Sequence, residues 1–403
     1  MDVIRSLSSR EVTPITTVDM HTCGEPTRIV IAGYPSLSGT LLEQRTQARA
    51  HHDHIRKRLL LEPRGHFDMY GAILRQETEL TYGGFADIGV LFVTNNEYST
   101  MCGHATIALG RFLVDTHDLD VFPARESLQF DSTSRTILLR LHAPCGLLEV
   151  TVPTSQDGQR SDASRPVSFK SIPCFTTALD LRVNLNLENR WPELASRISI
   201  VADFAYGGAF FCLVSAAELG FSQGLTNFNF EAMNEATRRL KAAVNSDPDL
   251  AYLFQHPESN DLSFLYSVIV VDKRLGLAIG NSKGAETGLC FFSDQEVDRS
   301  PTGSGVSARL AAAYARGDLR ENEPWTYHSL VSLHNDKSSA FVGRVLGRDN
   351  VSDSGRFPAV RTQVEGRAFY TGYHTFVLES PDPLGDGGFI MKDFADSAVP
   401  KSS

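Results

Sequence analysis

The 403-residue sequence lacks several features that mark common classes of protein. No apolar run approaches the ~20 residues of a membrane-spanning helix, so we expect no membrane partner. Lys and Arg number 38 against 48 Asp and Glu, and no segment concentrates them. The resulting net charge of −10 argues against a nucleic-acid partner. Walker and dinucleotide-binding glycine fingerprints are missing, as is a set of side chains with metal-ligand spacing, so neither a nucleotide cofactor nor a metal is predicted.

The cysteine pattern excludes a small disulfide-stabilised domain. The six cysteines are scattered without a CxxC pair, and a chain of this length does not need disulfides for stability. The opening residues MDVIR lack the basic segment and apolar core of a signal peptide. We therefore expect free thiols and a cytoplasmic location.

The remaining composition is typical of a globular protein, with 42 % hydrophobic and 21 % charged residues. Short β-branched or alternating runs bounded by turn residues predict strands, among them 28–32, 89–93, 147–152 and 267–271. Helical periodicity is clearest over 105–114, 231–244 and 306–315. Many strands with a few isolated helices predict an α+β architecture.

An internal repeat links two of these helices. Cys102, Gly103 and His104 open the first, and Thr302, Gly303 and Ser304 open the second, 200 residues later. Each opening has a small nucleophile-type residue, a glycine and a polar residue before a largely apolar helix. The pattern predicts two similar halves, each aiming a helix start at one shared site.

Helix starts are suited to holding an anion, because they present unpaired N–H groups and a partial positive charge. Two facing starts would bind the carboxylate of a small amino acid, and a helix start lowers the pKa of a cysteine placed there. Cys102 is then a candidate base for the carbon beside that carboxylate. The alternative is a cysteine that is simply buried in a turn.

Two further polar residues flank these starts. His104 can hydrogen-bond a ligand, cap the helix or fill space. Asp298 can pair with a ligand ammonium, cap the turn or pair with Arg299. The residues alone leave these alternatives open.

Six segments in register resemble the proline racemase family, in landmarks that run from about residue 16 to 380. They are DMHTCGEP (19–26), GHFDMYGA (65–72), MCGH (101–104), DFAYGG (203–208), DRSPTGSG (298–305) and TGYHTF (371–376). The resemblance implies a diaminopimelate-epimerase-like fold, in which two similar halves each wrap a mostly antiparallel sheet around a central helix. It also implies a cofactor-free site in the cleft between the halves, and a homodimer. We assign residues 1–160 with 366–403 to the half carrying Cys102, and 161–365 to the half carrying Asp298 and Thr302.

One departure from the family pattern decides the expected reaction. Racemases of this family carry a cysteine at both helix starts, whereas this chain has Cys102 and Thr302. A threonine hydroxyl is too weak an acid to exchange protons as a thiol does. The Cys/Thr combination resembles the branch that dehydrates trans-3-hydroxy-L-proline, a hydroxyproline-type imino acid.

The resemblance also implies a role for each site residue. Cys102 is the general base, and Thr302 occupies the second catalytic position. The carboxylate is bound through N–H groups of Gly103, His104, Gly303 and Ser304, and Asp298 holds the ring nitrogen. The alternatives are a racemase or epimerase with another acid in place of the missing cysteine, and a catalytically silent amino-acid-binding paralogue.

Overall fold

The computed structural model describes residues 13–349, 357–379, 381–391 and 394. The outermost ends of the predicted first half, before residue 13 and after 394, lie outside the described residues. Within the described residues, no helix is long and apolar enough to cross a membrane.

The predicted helices and strands are confirmed, with bounds that extend a few residues beyond the periodic runs. The α-helices of the described part are α1 (Leu41–His51), α2 (Asp53–Leu60), α3 (Glu79–Tyr82), α4 (Gly103–Asp115), α5 (Phe230–Ser246), α6 (Gly303–Arg316) and α7 (Leu330–His334). The strands of that part are β1 (Ile15–Thr22), β2 (Glu25–Ala32), β3 (Gly71–Arg75), β4 (Ile88–Val93), β5 (Tyr98–Ser99), β6 (Phe130–Asp131), β7 (Thr136–Ala143), β8 (Gly146–Pro153), β9 (Val167–Lys170), β10 (Phe175–Asn184), β11 (Ser199–Tyr206), β12 (Phe210–Ser215), β13 (Leu265–Asp272), β14 (Ala285–Phe292), β15 (Glu296–Val297), β16 (Trp325–His328), β17 (Phe341–Arg348), β18 (Val360–Gly366) and β19 (Ala368–Phe376).

The main strands form two sets with the same pairing order. In the first, β19, β1, β2, β3, β4, β7, β8 and β9 are neighbours in that order. In the second, the order is β10, β11, β12, β13, β14, β16, β17 and β18. In both sets the third and fifth pairings are parallel and the other pairings are antiparallel. Strand β9 of the first set pairs with β18 of the second and so joins the two sets. We propose that the two halves of the chain follow these two sets. β9 (Val167–Lys170), which lies in the range assigned above to the second half, then belongs to the first.

Helices α4 and α6 lie at the centres of the two sets. α4 contacts β1, β2, β8, β9 and β19, and α6 contacts β10, β11, β12, β17 and β18. All of α4 except Arg111 and Asp115 is buried, as are the first ten residues of α6, Gly303–Ala312. A helix that is apolar on nearly all faces needs this surrounding sheet to cover it. α6 ends at Gly317, which adopts the left-handed conformation (φ 85°) that favours glycine.

Candidate functional site

The starts of α4 and α6 touch each other in the interior of the protein. A Cβ atom added to Gly103 would lie 2.4 Å from Cα of Gly303, and one added to Gly303 would lie 2.7 Å from Cα of Gly103. Because only glycine permits this approach, the two backbones bring the residues before them, Cys102 and Thr302, to one place. The first N–H groups of both helices have no partner within their own helix.

This contact predicts that Gly103→Ala destabilises the protein. The new methyl group would meet backbone atoms, which cannot rotate away, so we expect the free energy of unfolding to fall by about 1–3 kcal/mol. Thermal unfolding followed by circular dichroism measures the effect. Gly387→Ala is the control, since its methyl group meets no atom within 4 Å. Equal melting temperatures for the two variants would show that the helix starts separate freely.

Cys102 is the N-cap residue of α4 and is buried. Its Sγ accepts a hydrogen bond from the backbone N–H of Ala105 at 3.3 Å and lies 3.2 Å from Nδ1 of His104. Burial raises the pKa of the thiol well above its usual range, and the charges of Asp298 and Glu25 raise it further. The expectation of a lowered pKa is therefore wrong for this structure, because loss of hydration outweighs the helix start.

His104 is a neutral imidazole in this environment. Burial lowers its pKa to about 3, and the Pro26 carbonyl opposes that shift only in part. Its backbone carbonyl accepts a hydrogen bond from the Thr22 hydroxyl at 2.9 Å, and Nδ1 lies 4.0 Å from Oδ2 of Asp298. The side chain thus lies between the thiol and the carboxylate.

Thr302 and Asp298 form a hydrogen-bonded pair at the start of α6. The Thr302 hydroxyl donates to Oδ2 of Asp298 at 2.8 Å, and Oδ1 accepts from the backbone N–H of Ser300 at 2.7 Å. Thr302 adopts a left-handed conformation (φ 64°), which is unusual for a β-branched residue. Burial raises the pKa of Asp298 to about 6, against the hydrogen bonds from Ser300 and Thr302 that lower it.

Glu25 is a buried carboxyl beside this pair to which the sequence analysis gave no role. Its Oε2 accepts a hydrogen bond from the backbone N–H of Arg299 at 2.6 Å, while Oε1 has no partner. Burial raises its pKa well above the usual range, and the charge of Asp298 raises it further. A second negative charge in this buried pair is unfavourable, because each carboxylate opposes ionisation of the other. The sequence signal that could have identified Glu25 is its position inside the 19–26 motif.

A small cavity lies between the two helix starts. Besides Cys102, Gly103, His104, Asp298, Thr302, Gly303 and Ser304, it is lined by Tyr70, Met101, Tyr266 and Phe292. The structure therefore brings all seven of the predicted site residues together, along with an aromatic wall that the sequence analysis missed. The cavity has a volume of about 10 Å³, enough for one water molecule. Of three larger cavities, those of about 720 and 770 Å³ are lined by none of the seven, and one of about 320 Å³ is lined by Asp298 among them.

The described residues contain no group of three or more His, Cys, Asp and Glu side chains arranged to hold a metal ion. The polar groups of the residues that line the cavity are one thiol, one carboxylate, one neutral imidazole, the hydroxyls of Tyr70, Tyr266, Thr302 and Ser304, and two sets of helix N–H groups. This arrangement suits binding a small zwitterion and removing a proton beside its carboxylate.

Comparisons with known proteins identify the family and relatives of this chain. The sequence pattern of the family described as proline racemase matches residues 17–389. The trans-3-hydroxy-L-proline dehydratase of Homo sapiens is 40 % identical over 384 residues, covering 94 % of this chain and 96 % of the relative. The trans-L-3-hydroxyproline dehydratase of Mus musculus is 41 % identical over 379 residues, covering 94 % and 95 %. The trans-3-hydroxy-L-proline dehydratase of Burkholderia cenocepacia is 34 % identical over 396 residues, covering 97 % and 100 %.

A solved structure confirms the fold class. The crystal structure of a hydroxyproline epimerase from Agrobacterium vitis, with bound trans-4-OH-L-proline, matches with a TM-score of 0.74. The match covers 94 % of this chain and 95 % of that one at 24 % identity, so it informs the fold alone. The predicted α+β architecture of two similar halves, each with a sheet around a central helix, is confirmed.

Proposed function

Because the chain belongs to the proline racemase family, we propose that it is a hydro-lyase that dehydrates trans-3-hydroxy-L-proline to Δ1-pyrroline-2-carboxylate, with Cys102 as the acid–base group. The observation that carries this proposal is the pairing of a thiol at one helix start with a hydroxyl, Thr302, at the other. The names of the full-length relatives support the same reaction.

The stereochemistry of the substrate explains why one thiol is enough. In trans-3-hydroxy-L-proline the hydroxyl is opposite the carboxylate, so it shares a ring face with the Cα hydrogen. The Cys102 thiolate removes that hydrogen, and the resulting thiol gives a proton to the hydroxyl as the C3–O bond breaks. Water leaves, the thiolate is regenerated, and the enamine product tautomerises to the imine. Atoms and charge balance without a cofactor.

Binding of the substrate accounts for the ionisation of Cys102. The N–H groups of Gly103, His104, Gly303 and Ser304 hold the carboxylate, onto which the Cα carbanion spreads its charge. Asp298 holds the ring ammonium. A cation brought this close to the thiol favours the thiolate and offsets part of the effect of burial. Thr302 contributes a hydroxyl without base strength.

The volume of the cavity requires a movement during turnover. A space of about 10 Å³ is too small for an imino acid, so residues that line the cavity must move to admit it. Re-closure excludes water, which strengthens the electrostatic interactions around the carbanion.

The experiment that tests the function combines two reactions. Purified protein is incubated with trans-3-hydroxy-L-proline, and imine formation is followed, while L-proline in deuterated water is analysed for racemisation. Imine without racemised proline is the expected result. Racemised proline would establish a second working acid, and absence of both reactions would favour a non-catalytic amino-acid-binding protein.

The pH dependence follows from Asp298, whose pKa burial raises to about 6. Below that pH the carboxyl is neutral and cannot pair with the ring ammonium, so kcat/KM should fall more steeply below about pH 6 than above it, where ionisation of the Cys102 thiol is the remaining requirement. A pH profile of kcat/KM measures this, because that parameter reports groups of the free enzyme. Asp298→Asn should lower kcat/KM above pH 6 about 10- to 100-fold and remove this steeper limb. A limb that persists in the variant would assign the titration to another group.

We further propose a homodimer, which the family resemblance supports, and a cytoplasmic location. The six cysteines are free thiols, which suits a reducing compartment.

A further inference from the structure

The hydroxyl of Tyr70 is the feature of the site that the reaction above does not use. Tyr70 is buried, lines the cavity between the helix starts and precedes β3. Among the described cavity-lining residues, its hydroxyl is the one fully buried side-chain nitrogen or oxygen without a hydrogen-bond partner. A buried hydroxyl without a partner is unfavourable, and at a binding site it points to a group supplied by the ligand.

Neighbouring side chains fix the position of this hydroxyl. The Tyr70 ring packs edge-on against His104, with centroids 4.7 Å apart and planes at 76°, and lies 6.0 Å from the ring of Phe292. The hydroxyl is near enough to Cys102 to lower the pKa of its thiol, yet it makes no hydrogen bond of ordinary geometry to the sulfur. Tyr70 therefore lies on the Cys102 side of the cavity.

The other hydroxyl groups near the site differ from that of Tyr70. Thr302 donates its proton to Asp298, and Ser304 belongs to the start of α6. Tyr206 has an unpartnered hydroxyl as well, but it does not line this cavity. Of the two phenols that line the cavity, Tyr70 and Tyr266, Tyr70 is the one whose hydroxyl is fully buried without a partner.

We propose that the Tyr70 hydroxyl donates a hydrogen bond to the C3 hydroxyl of the substrate and so selects substrates that carry this group on the face of Cys102. The inference rests on the proposed function. The Cα hydrogen and the C3 hydroxyl share one ring face, so the leaving oxygen must lie on the side of Cys102, where Tyr70 is. During elimination the C3–O electron pair goes to oxygen and the Cys102 thiol supplies the proton. Tyr70 keeps its own proton and stabilises the charge that develops on oxygen.

A ligand without this hydroxyl leaves Tyr70 unpaired, and a site built to pair a hydroxyl discriminates against such ligands. Proline lacks the group altogether. In cis-3-hydroxy-L-proline it lies on the opposite face, with the carboxylate. Both ligands should therefore bind less tightly than the trans isomer.

Tyr70→Phe tests the proposal, since it keeps the ring and removes only the hydroxyl. We expect kcat for trans-3-hydroxy-L-proline to fall about 10²- to 10³-fold, the effect of removing one donor to developing charge. Binding is measured by calorimetry in the Cys102→Ser background, where turnover is blocked. In that background, Tyr70→Phe should lower the affinity for the trans isomer about 2- to 10-fold, to the level of the affinities for L-proline and the cis isomer. The affinities for L-proline and the cis isomer should not change with the substitution.

The outcomes separate the possible roles of Tyr70. Because the hydroxyl has no partner in this structure, its removal should leave the melting temperature unchanged. An equal loss of affinity for all three ligands would mean a structural role and would overturn the proposal, as would a preference for the trans isomer that survives the substitution. The comparison of cis and trans isomers with Tyr70 intact is a second test, which fails if both bind equally. If the unaltered protein does not dehydrate trans-3-hydroxy-L-proline, the proposed function itself is wrong.

Discussion

Thr302→Cys should give the protein proline racemase and hydroxyproline epimerase activity. The substitution places a second thiol opposite Cys102, so that one sulfur removes the Cα proton and the other supplies a proton to the opposite face. A positioned acid or base contributes about 10²- to 10⁴-fold to proton transfer, so the new activity should exceed any background by at least about 10²-fold. Loss of optical rotation of L-proline, or formation of Cα-deuterated D-proline in deuterated water, measures it.

The local structure favours this change. Thr302 is a β-branched residue at φ 64°, a conformation that an unbranched side chain tolerates more easily. The hydrogen bond from its hydroxyl to Asp298 is lost, which leaves that carboxylate with its contacts to Ser300. We therefore expect Thr302→Cys to fold.

Thr302→Ser is the matched control, because serine keeps the hydroxyl and is unbranched like cysteine. It should show no racemisation, which would attribute the new activity to the thiol. Racemisation by the serine variant, or none by a folded cysteine variant, would contradict the assignment of the two helix starts to opposite faces of the ring.

Cys102→Ser should abolish turnover while leaving the substrate bound. A serine hydroxyl ionises far less readily than a thiol, so kcat should fall at least about 10³-fold. Binding of trans-3-hydroxy-L-proline, measured by calorimetry, should persist because the helix N–H groups and Asp298 are unchanged.

Cys174→Ser is the control for placing a hydroxyl in the interior. Cys174 is buried as well, but its thiol already donates to the Ser171 hydroxyl at 3.2 Å, so a serine finds a partner there. Turnover should be unchanged in this variant. Comparable activity in the Cys102 and Cys174 variants would remove Cys102 from the reaction.

Local patterns made much of this fold predictable. The apolar residues of 105–114 and 306–315 predict α4 and α6. Both helices carry apolar residues on most faces because strands enclose them. The order in which the strands pair was not predictable in this way, since register depends on contacts between distant residues such as those of β1 and β19.

The residues of the site also differ in whether a local pattern predicts them. Cys102, Thr302 and Asp298 stand out because their residue types at helix starts carry chemistry. Tyr70 precedes an apolar strand and resembles an ordinary core residue until the surrounding cavity is known. The raised pKa of Cys102 likewise depends on burial by elements far along the chain, which no local pattern reports.

The repeated order of strand pairing has an evolutionary consequence. Eight strands and a central helix that recur with parallel pairings at the same two steps are the product expected from duplication and fusion of one ancestral gene. Each copy then contributes the residue that faces one side of the ligand ring. A single codon in one copy can diverge while its counterpart stays under selection, and Cys102 and Thr302 stand at those two duplicated positions. A new reaction in such a lineage arises when one of two duplicated residues is substituted and the other is kept.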